Sequence, residues 1–351
     1  MGLNTNTYVV ILEFGRIILS MFKNISIIGD GAMGTVLAML LCEKNLPTRM
    51  WGYDHEQLKQ IESCRENKKF LPGYRLPETL VFESDDKRIM AGADLIVSAV
   101  PCQFVRRVWV RLQRYVPKDV PIVSITKGIE NDTLMCPSQI LADVLGGEVK
   151  CVVLSGPTIS DELARKLPAT AAVACSDEQL AKEIQYIFST QWLRVYTNTD
   201  IIGVELAGAM KNVIAIAAGV IDGMGAGDNA KAALLSRGLA EITRLGIACG
   251  ARPQTFAGLT GLGDLVTTCI SPKGRNRSFG ERIGKGQTVE QAQKATVGVI
   301  EGIATCKSVV ALGRQYNVEM PITNAIYEVL FEGKPVQAAI ADLMKRQLKA
   351  E

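Results

Sequence analysis

A glycine-rich loop near the start of the chain is compatible with few folds. Residues 24–28 (Asn-Ile-Ser-Ile-Ile) are a short run rich in β-branched isoleucine, which is typical of a strand. The loop Gly29-Asp30-Gly31-Ala32-Met33-Gly34 follows, and the apolar residues 35–42 predict a helix directly after it. A G-x-G-x-x-G sequence between a strand and a helix is typical of a dinucleotide site. Its first glycine permits a tight turn, its second lets the backbone approach a pyrophosphate, and its third lets helix and strand pack closely. The N-terminus of the helix would then face the phosphates.

The order of strand-like and helical segments predicts the fold class. Further apolar runs predict strands at residues 48–53, 93–100, 121–124, 149–154, 170–174 and 193–197. From residue 203 the pattern is helical almost to the end of the chain. Strands that alternate with helices predict a parallel sheet with helices on both faces. The sequence therefore predicts an α/β protein, with an N-terminal Rossmann-like doubly wound sheet in residues 21–202 and a C-terminal all-helical domain in residues 203–345.

Two segments fall outside this pattern. Residues 67–77 are rich in proline and glycine and are predicted to form a loop. Residues 1–20 are predicted to be an N-terminal extension. Residues 8–22 are apolar, but Glu13 and Arg16 interrupt them and no cleavage site follows, so neither a membrane span nor a signal peptide is predicted.

Length, charge and cysteine content restrict the class of protein. A chain of 351 residues fits two domains, because single cores stop growing at roughly 250–300 residues. A net charge of +3 without a dense run of lysine and arginine argues against a nucleic-acid partner, but leaves small anionic substrates open. The nine cysteines are scattered and contain no C-x-x-C pair, so reduced thiols of a cytoplasmic protein are predicted, without a metal site.

Two lysines and one aspartate are the predicted catalytic groups. The chain has one histidine, His55, which is predicted to be solvated, so lysine is the predicted proton donor. Lys127 follows the predicted strand 121–124, and ligands bind outside the carboxyl ends of parallel strands. Lys211 lies in a helical stretch of small and apolar residues, where burial lowers the pKa of a lysine toward the catalytic range. Asp264 ends a glycine-rich turn that places its carboxylate in apolar surroundings.

Several of these patterns have a second interpretation. Asp54 stands about 20 residues beyond the glycine-rich loop, where an acidic residue commonly binds the adenosine ribose and favours NAD over NADP. It can equally cap the helix that follows. Lys127 can be a solvated lysine at a strand end. Arg275 and Asn276, which follow Gly274, can grip a phosphate monoester or belong to a basic surface loop.

The motifs, taken in order over residues 24–330, resemble those of the NAD(P)-dependent glycerol-3-phosphate dehydrogenase family. The residues that carry the resemblance are Gly29 to Thr35, Thr126-Lys127-Gly128, Ser155-Gly156-Pro157-Thr158, Glu205 with Lys211-Asn212, Gly261-Leu262-Gly263-Asp264 and Gly274-Arg275-Asn276-Arg277. The resemblance implies hydride transfer between NAD(P)H and dihydroxyacetone phosphate, which yields sn-glycerol 3-phosphate for phospholipid synthesis. It leaves the choice between NAD and NADP open, and a homodimer is compatible with the apolar C-terminal helices. The alternatives are another two-domain dehydrogenase, of the 3-hydroxyacid or 6-phosphogluconate type, and a dinucleotide sensor without catalysis.

The resemblance also implies roles for individual residues. Lys211 would be the proton donor and acceptor, held by Asp264, with Lys127 as a second positive group. The implied substrate contacts are Lys127, Gly156, Thr158, Asn212, Asp264, Thr268, Gly274, Arg275 and Asn276. The cofactor contacts, which include the glycines of the loop and Asp54, are Gly29, Gly31, Ala32, Met33, Gly34, Tyr53, Asp54, Lys127, Ser160, Arg275, Val299 and Glu301. The family often has an aromatic residue where Met33 stands, so packing at the nicotinamide end is less defined there.

Overall fold

An α/β region is followed by a helical region in the computed structural model, which describes residues 22–147 and 149–348. The strands are β1 (Ile25–Ile28), β2 (Thr48–Trp51), β3 (Glu66–Asn67), β4 (Leu71–Arg75), β5 (Val81–Phe82), β6 (Leu95–Ser98), β7 (Ile122–Ser124), β8 (Cys151–Ser155), β9 (Ala169–Ala174) and β10 (Leu193–Asn198). The helices are α1 (Ala32–Glu43), α2 (His55–Cys64), α3 (Asp86–Met90), α4 (Val105–Leu112), α5 (Pro137–Leu145), α6 (Ser160–Ala164), α7 (Glu178–Phe188), α8 (Ile201–Met224), α9 (Asp228–Ala248), α10 (Pro253–Ala257), α11 (Asp264–Ile270), α12 (Arg275–Gly284), α13 (Val289–Lys294), α14 (Glu301–Gln315), α15 (Pro321–Phe331) and α16 (Val336–Met344). The predicted extension, residues 1–20, lies outside the described residues.

The central sheet has the predicted doubly wound arrangement. Its strand order is β10-β9-β8-β7-β6-β1-β2-β5. All neighbouring strands are parallel except β8 and β9, which are antiparallel, so the last two strands at that edge run in the reverse direction. After β1 the chain first builds the side of the sheet that contains β2 and then crosses to β6. The crevice between the carboxyl ends of β1 and β6 is therefore the switch point at which such sheets bind ligands.

The prediction of a loop at residues 67–77 was wrong. Strands β3 and β4 form an antiparallel hairpin across most of this segment, with an irregular register between Glu66 and Asn67. Proline and glycine argue against a central strand, but Pro72 and Gly73 lie in a two-stranded ribbon. There each strand has an outer edge that needs no ladder hydrogen bonds. The hairpin is relevant to function because it packs against the ligand-binding edge, as described below.

Helix α8 is the centre of the helical region. It is buried without a break from Gly203 to Val220 and is packed by α9, α11, α12 and α14. Of the described helices it alone has the length and apolar composition of a membrane span, and 89% of its apolar window is buried inside the fold. An apolar surface on all sides is expected of a helix at the centre of a protein core.

Glycines bring α8 and α12 into backbone contact. A Cβ added at Gly219 would lie 1.9 Å from the carbonyl oxygen of Arg277, and one added at Gly280 would lie 2.0 Å from that of Ile216. Any larger residue at either position would force the helices apart. This close crossing places the first turn of α12 against the middle of α8, which carries Asn212.

Candidate active site

Asp264 lies between the two predicted catalytic lysines. Its Oδ2 accepts a hydrogen bond from Lys127 Nζ at 2.7 Å, and its Oδ1 accepts one from Lys211 Nζ. Thr268 Oγ1, one turn along α11, also accepts from Lys211 Nζ at 2.5 Å. Lys127 follows β7, Lys211 is in the middle of α8, and Asp264 begins α11. Two positive groups and one negative group leave one positive charge, which suits an anionic substrate.

The cluster is largely shielded from water. Asp264 is 1% exposed and Lys211 is 5% exposed. Burial lowers the pKa of Lys211 to about 8; the charge of Asp264 opposes this effect and that of Lys127 adds to it. Lys211 can therefore exchange a proton at a pH where a solvated lysine stays charged.

Lys127 is held by protein groups on two sides. Its Nζ donates to the carbonyl oxygen of Gly156 at 3.0 Å as well as to Asp264. The hydroxyl of Thr158 donates to the same carbonyl at 3.1 Å. The lysine side chain is 21% exposed. The interpretation of Lys127 as a solvated lysine at a strand end therefore does not hold.

The start of α12 carries the predicted phosphate-binding residues. Gly274 is the N-cap of this helix, so the first backbone N–H groups after it have no partner within the helix. The Asn276 side chain donates to Asn212 Oδ1 at 2.9 Å and accepts from the backbone N–H of Gly302 at 2.9 Å. These bonds hold Asn276 beside Asn212, the neighbour of Lys211 in the chain. The alternative of a basic surface loop is wrong, because residues 275–284 form a helix.

Arg275 and Glu301 lie in a second polar group beside α14. The Arg275 guanidinium and the ring of Phe70, which lies in the hairpin, are both close to Gly298. A Cβ added at Gly298 would be 2.8 Å from Arg275 Nη1 and 3.8 Å from the Phe70 ring. Glu301 Oε1 accepts from the backbone N–H of Cys102 at 3.2 Å, whereas its buried Oε2 has no partner among the described residues. Burial raises the pKa of Glu301 to about 7, while the Cys102 N–H and the Arg275 charge lower it. A buried acceptor without a partner among the described residues leaves Oε2 free to accept a hydrogen bond from another molecule.

The glycine-rich loop has the backbone geometry that its sequence predicts. Gly29 has a φ of +120°, and an added Cβ there would lie 2.6 Å from the carbonyl oxygen of Ala99. A Cβ at Gly34 would lie 2.3 Å from the carbonyl oxygen of Gly29. A Cβ at Gly31 would meet no atom within 4 Å, so the space above this residue is open for a ligand. The helix that follows begins at the next residue.

Asn67 braces this loop, a role that sequence reasoning missed. Its side-chain amide donates to the carbonyl oxygen of Asp30 and to Thr35 Oγ1, both at 2.8 Å. The Thr35 hydroxyl in turn donates to the carbonyl oxygen of Gly31 at 3.0 Å. Asn67 is fully buried. No local signal could reveal this contact, because its partners lie more than 30 residues away in the chain.

Asp54 caps a helix. Its Oδ1 accepts from the backbone N–H groups of Glu56 and Gln57, each at 3.1 Å, at the start of α2. The helix-cap interpretation is confirmed, and the ribose contact stays a prediction. Tyr53, just before it, is 50% exposed, with the Arg107 guanidinium 4.9 Å from its ring centroid.

The other predicted cofactor residues lie mainly at helix starts. Ala32 and Met33 begin α1, Ser160 begins α6, and Val299 precedes α14. Their contacts with a cofactor stay predictions. His55 is exposed, as predicted. Within residues 22–147 and 149–348, no three histidine, cysteine, aspartate or glutamate side chains are grouped to hold a metal ion.

Comparison with known families covers almost the whole chain. Residues 24–181 match the N-terminal domain described as "NAD-dependent glycerol-3-phosphate dehydrogenase N-terminus". Residues 200–341 match the corresponding "NAD-dependent glycerol-3-phosphate dehydrogenase C-terminus".

Individual relatives agree with the family match. The chain is 45% identical to a glycerol-3-phosphate dehydrogenase [NAD(P)+] of Geobacter sp. (strain M21), over 94% of this chain and 99% of that protein. It is also 45% identical to the enzyme of the same name from Chlorobium phaeobacteroides, over 93% and 98% of the two chains. Among solved structures, glycerol-3-phosphate dehydrogenase from Coxiella burnetii has a TM-score of 0.90 at 36% identity, covering 93% of this chain and 100% of that one. The chain belongs to the NAD(P)-dependent glycerol-3-phosphate dehydrogenase family.

Proposed function

We propose that Lys211 is the proton donor and acceptor with which this enzyme interconverts dihydroxyacetone phosphate and sn-glycerol 3-phosphate. The observation that carries the proposal is the buried Lys127–Asp264–Lys211 cluster next to the start of α12. Supply of glycerol 3-phosphate for phospholipid synthesis is part of the same proposal.

The residues present fit an NAD(P)H molecule. Gly31 leaves open space at the N-terminus of α1, where a pyrophosphate can accept backbone hydrogen bonds. Near Cys102, which follows β6, Glu301 Oε2 has no partner among residues 22–147 and 149–348 and offers an acceptor for a polar group of the cofactor. Ala32, Met33, Tyr53, Ser160 and Val299 are proposed to lie along the dinucleotide. The bound cofactor supplies or takes up the hydride.

The substrate phosphate is proposed to bind at the first turn of α12. Backbone N–H groups after Gly274 and the Arg275 guanidinium are donors, and Asn276 keeps one amide hydrogen for a third contact. A phosphate dianion held there brings the rest of a three-carbon substrate toward Asn212 and Lys211. Binding energy at the phosphate then orients the reacting carbon.

Lys211 is proposed to handle the proton. During reduction the carbonyl carbon gains the hydride and the carbonyl oxygen gains a proton from Lys211 Nζ, which is afterwards protonated again from solvent. During oxidation the neutral amine takes the hydroxyl proton. Asp264 and Thr268 hold Nζ in place, and Lys127 adds positive charge near the developing alkoxide.

The assay that tests this function follows the absorbance of NADH or NADPH after addition of dihydroxyacetone phosphate. Consumption of cofactor with formation of glycerol 3-phosphate is expected. Matched reactions with a 3-hydroxyacid and with 6-phosphogluconate, both followed as reduction of NAD or NADP, are expected to be silent. Cofactor binding without turnover of any of the three substrates would instead support a dinucleotide sensor.

The pH dependence should follow the pKa of Lys211. Because only the protonated amine donates, kcat/KM for reduction should fall as pH rises through about 8, and kcat/KM for oxidation should rise over the same interval. Phosphate monoesters have their second pKa near 6, so the substrate does not produce a step at this pH. Initial rates in both directions at subsaturating substrate measure the profiles. Flat profiles across this interval would contradict the assignment of Lys211.

The domain boundary, the oligomeric state and the location of the protein are also proposed. The division into residues 21–202 and 203–345 is proposed because β10 ends the sheet at Asn198 and the long helix α8 begins at Ile201. A homodimer and a cytoplasmic location are proposed from the sequence arguments alone.

A further inference from the structure

Asp30 has a carboxylate that the proposed reaction does not use. It stands between the first two glycines of the loop, and its carbonyl oxygen is held by Asn67. Its Oδ2 is buried and has no hydrogen-bond partner within the described part of the chain. A carboxylate oxygen removed from water without a donor is costly, so this position of Asp30 needs an explanation beyond the stability of the fold.

The Asp30 carboxylate lies at the carboxyl end of β2. A Cβ added at Gly52, the residue after this strand, would be 2.9 Å from Asp30 Cγ and 3.1 Å from Oδ2. The carboxylate therefore rests on the Gly52 backbone. In dinucleotide-binding sheets this is the place where the adenosine ribose is bound and where NAD and NADP are distinguished.

Asp54 stands at the same strand end but is already used by the fold. Its Oδ1 accepts two backbone hydrogen bonds as the cap of α2. The charge of Asp54 acts on the Asp30 carboxylate. Burial is the largest cause that raises the pKa of Asp30. The charge of Asp54 also raises this pKa, and the charge of Lys69 lowers it. Negative potential thus accumulates where a 2′-phosphate would lie.

Most nearby guanidinium groups are engaged elsewhere. Arg49 donates to the carbonyl oxygens of Arg88 and Ala91, each at 2.8 Å. Arg111 forms two hydrogen bonds with Asp86, at 2.6 and 2.8 Å. Arg107 stacks on Tyr53 and Phe104 and forms no ion pair among the described residues. Arg107 and Lys69, whose charge acts on Asp30, are thus the nearby cations through which a 2′-phosphate could still be recognised.

We propose that Asp30 determines cofactor choice, because its carboxylate accepts a hydrogen bond from a ribose hydroxyl of NADH and repels the 2′-phosphate of NADPH. The inference rests on the proposed function and names the cofactor that the same site prefers. A hydroxyl of the ribose can donate to the partly buried Asp30 carboxylate, which stands at this strand end. A phosphate at the same position brings like charges together at a partly desolvated site.

The test compares binding and turnover of both cofactors in the parent enzyme, Asp30→Asn and Asp30→Ala. Dissociation constants from fluorescence titration with NADH and NADPH give a readout that does not need turnover. The parent should favour NADH in both Kd and kcat/KM. Asp30→Asn should shift the NADPH/NADH ratio of kcat/KM by about tenfold or more toward NADPH, since the amide still accepts from a hydroxyl but carries no charge. Asp30→Ala should also weaken NADH binding.

Two control variants test whether the effect belongs to Asp30. Asp177→Asn makes the same replacement at the cap of α7, which follows β9 at the edge of the sheet opposite the carboxyl end of β8, and its cofactor ratio should shift by less than about threefold. Arg107→Ala should leave the preference for NADH in place. A parent that prefers NADPH would overturn the inference, and loss of that preference in Arg107→Ala would assign it to Arg107. The same cofactor ratio in the parent and in Asp30→Asn would also overturn it, while leaving the dehydrogenase reaction intact. Failure of the parent to bind either cofactor would overturn the proposed function as well.

Discussion

Replacement of Lys211 by methionine is expected to lower kcat for reduction of dihydroxyacetone phosphate by about 10²- to 10⁴-fold, the range for loss of a general acid. Methionine keeps most of the volume of the side chain in this buried position and removes only the charge and the proton. Asp264 keeps its hydrogen bond from Lys127, so the carboxylate is not left without a partner. Kd values for the cofactor should therefore change little, and the loss should appear in kcat.

A pair of variants distinguishes proton transfer from packing. Lys211→Ala leaves space for a small amine, so added methylammonium should restore part of its activity, whereas the filled site in Lys211→Met should not respond. Lys182→Met, at an exposed position of α7, is the matched control and should retain parental rates. Full activity in Lys211→Met would show that another group donates the proton. Unfolding of both Lys211 variants, measured by circular dichroism, would indicate a structural role.

Replacement of Arg275 by alanine is expected to reduce kcat/KM for dihydroxyacetone phosphate by roughly 100-fold or more. Loss of a charge-assisted contact to a phosphate at a partly desolvated site costs about 2–5 kcal/mol. Both KM and kcat should be affected, because phosphate binding also orients the carbonyl carbon. Steady-state kinetics at saturating cofactor measure the change.

Unphosphorylated dihydroxyacetone provides the critical comparison. This ketone lacks the group that Arg275 is proposed to bind, so its slow turnover should be nearly the same in the parent and in Arg275→Ala. Lys273→Ala removes an exposed positive charge two residues earlier, which pairs with Asp161, and should change kcat/KM by less than about threefold. An equal loss with both ketones in Arg275→Ala would mean that Arg275 acts on the cofactor or on the fold and not on the phosphate.

The fold was accessible from sequence because its signals are local. The strand, glycine loop and helix at the start of the chain are adjacent in sequence, and each predicted run forms a strand with ends shifted by no more than two residues. The hairpin of β3 and β4 was not predicted, because Pro72 and Gly73 carry the local signal of a loop while strand pairing depends on a partner segment. The reversed direction of β9 was not predicted for a similar reason. A run such as residues 169–174 has no local feature that gives its direction in the sheet.

The amino-acid sequence by itself determined the doubly wound architecture, the tight turn at Gly29 and the residue types suited to carbonyl reduction. Only the tertiary structure decided that one carboxylate, Asp264, joins Lys127 and Lys211, which are 84 residues apart by the difference of their numbers. It also decided that Asp54 serves as a helix cap, while Asp30 Oδ2 lies at the end of β2 with no hydrogen-bond partner in the described part of the chain. Composition and periodicity report on neighbours along the chain. Hydrogen bonds, burial and the lowered pKa of Lys211 arise from groups that meet only when the sheet and α8 pack together.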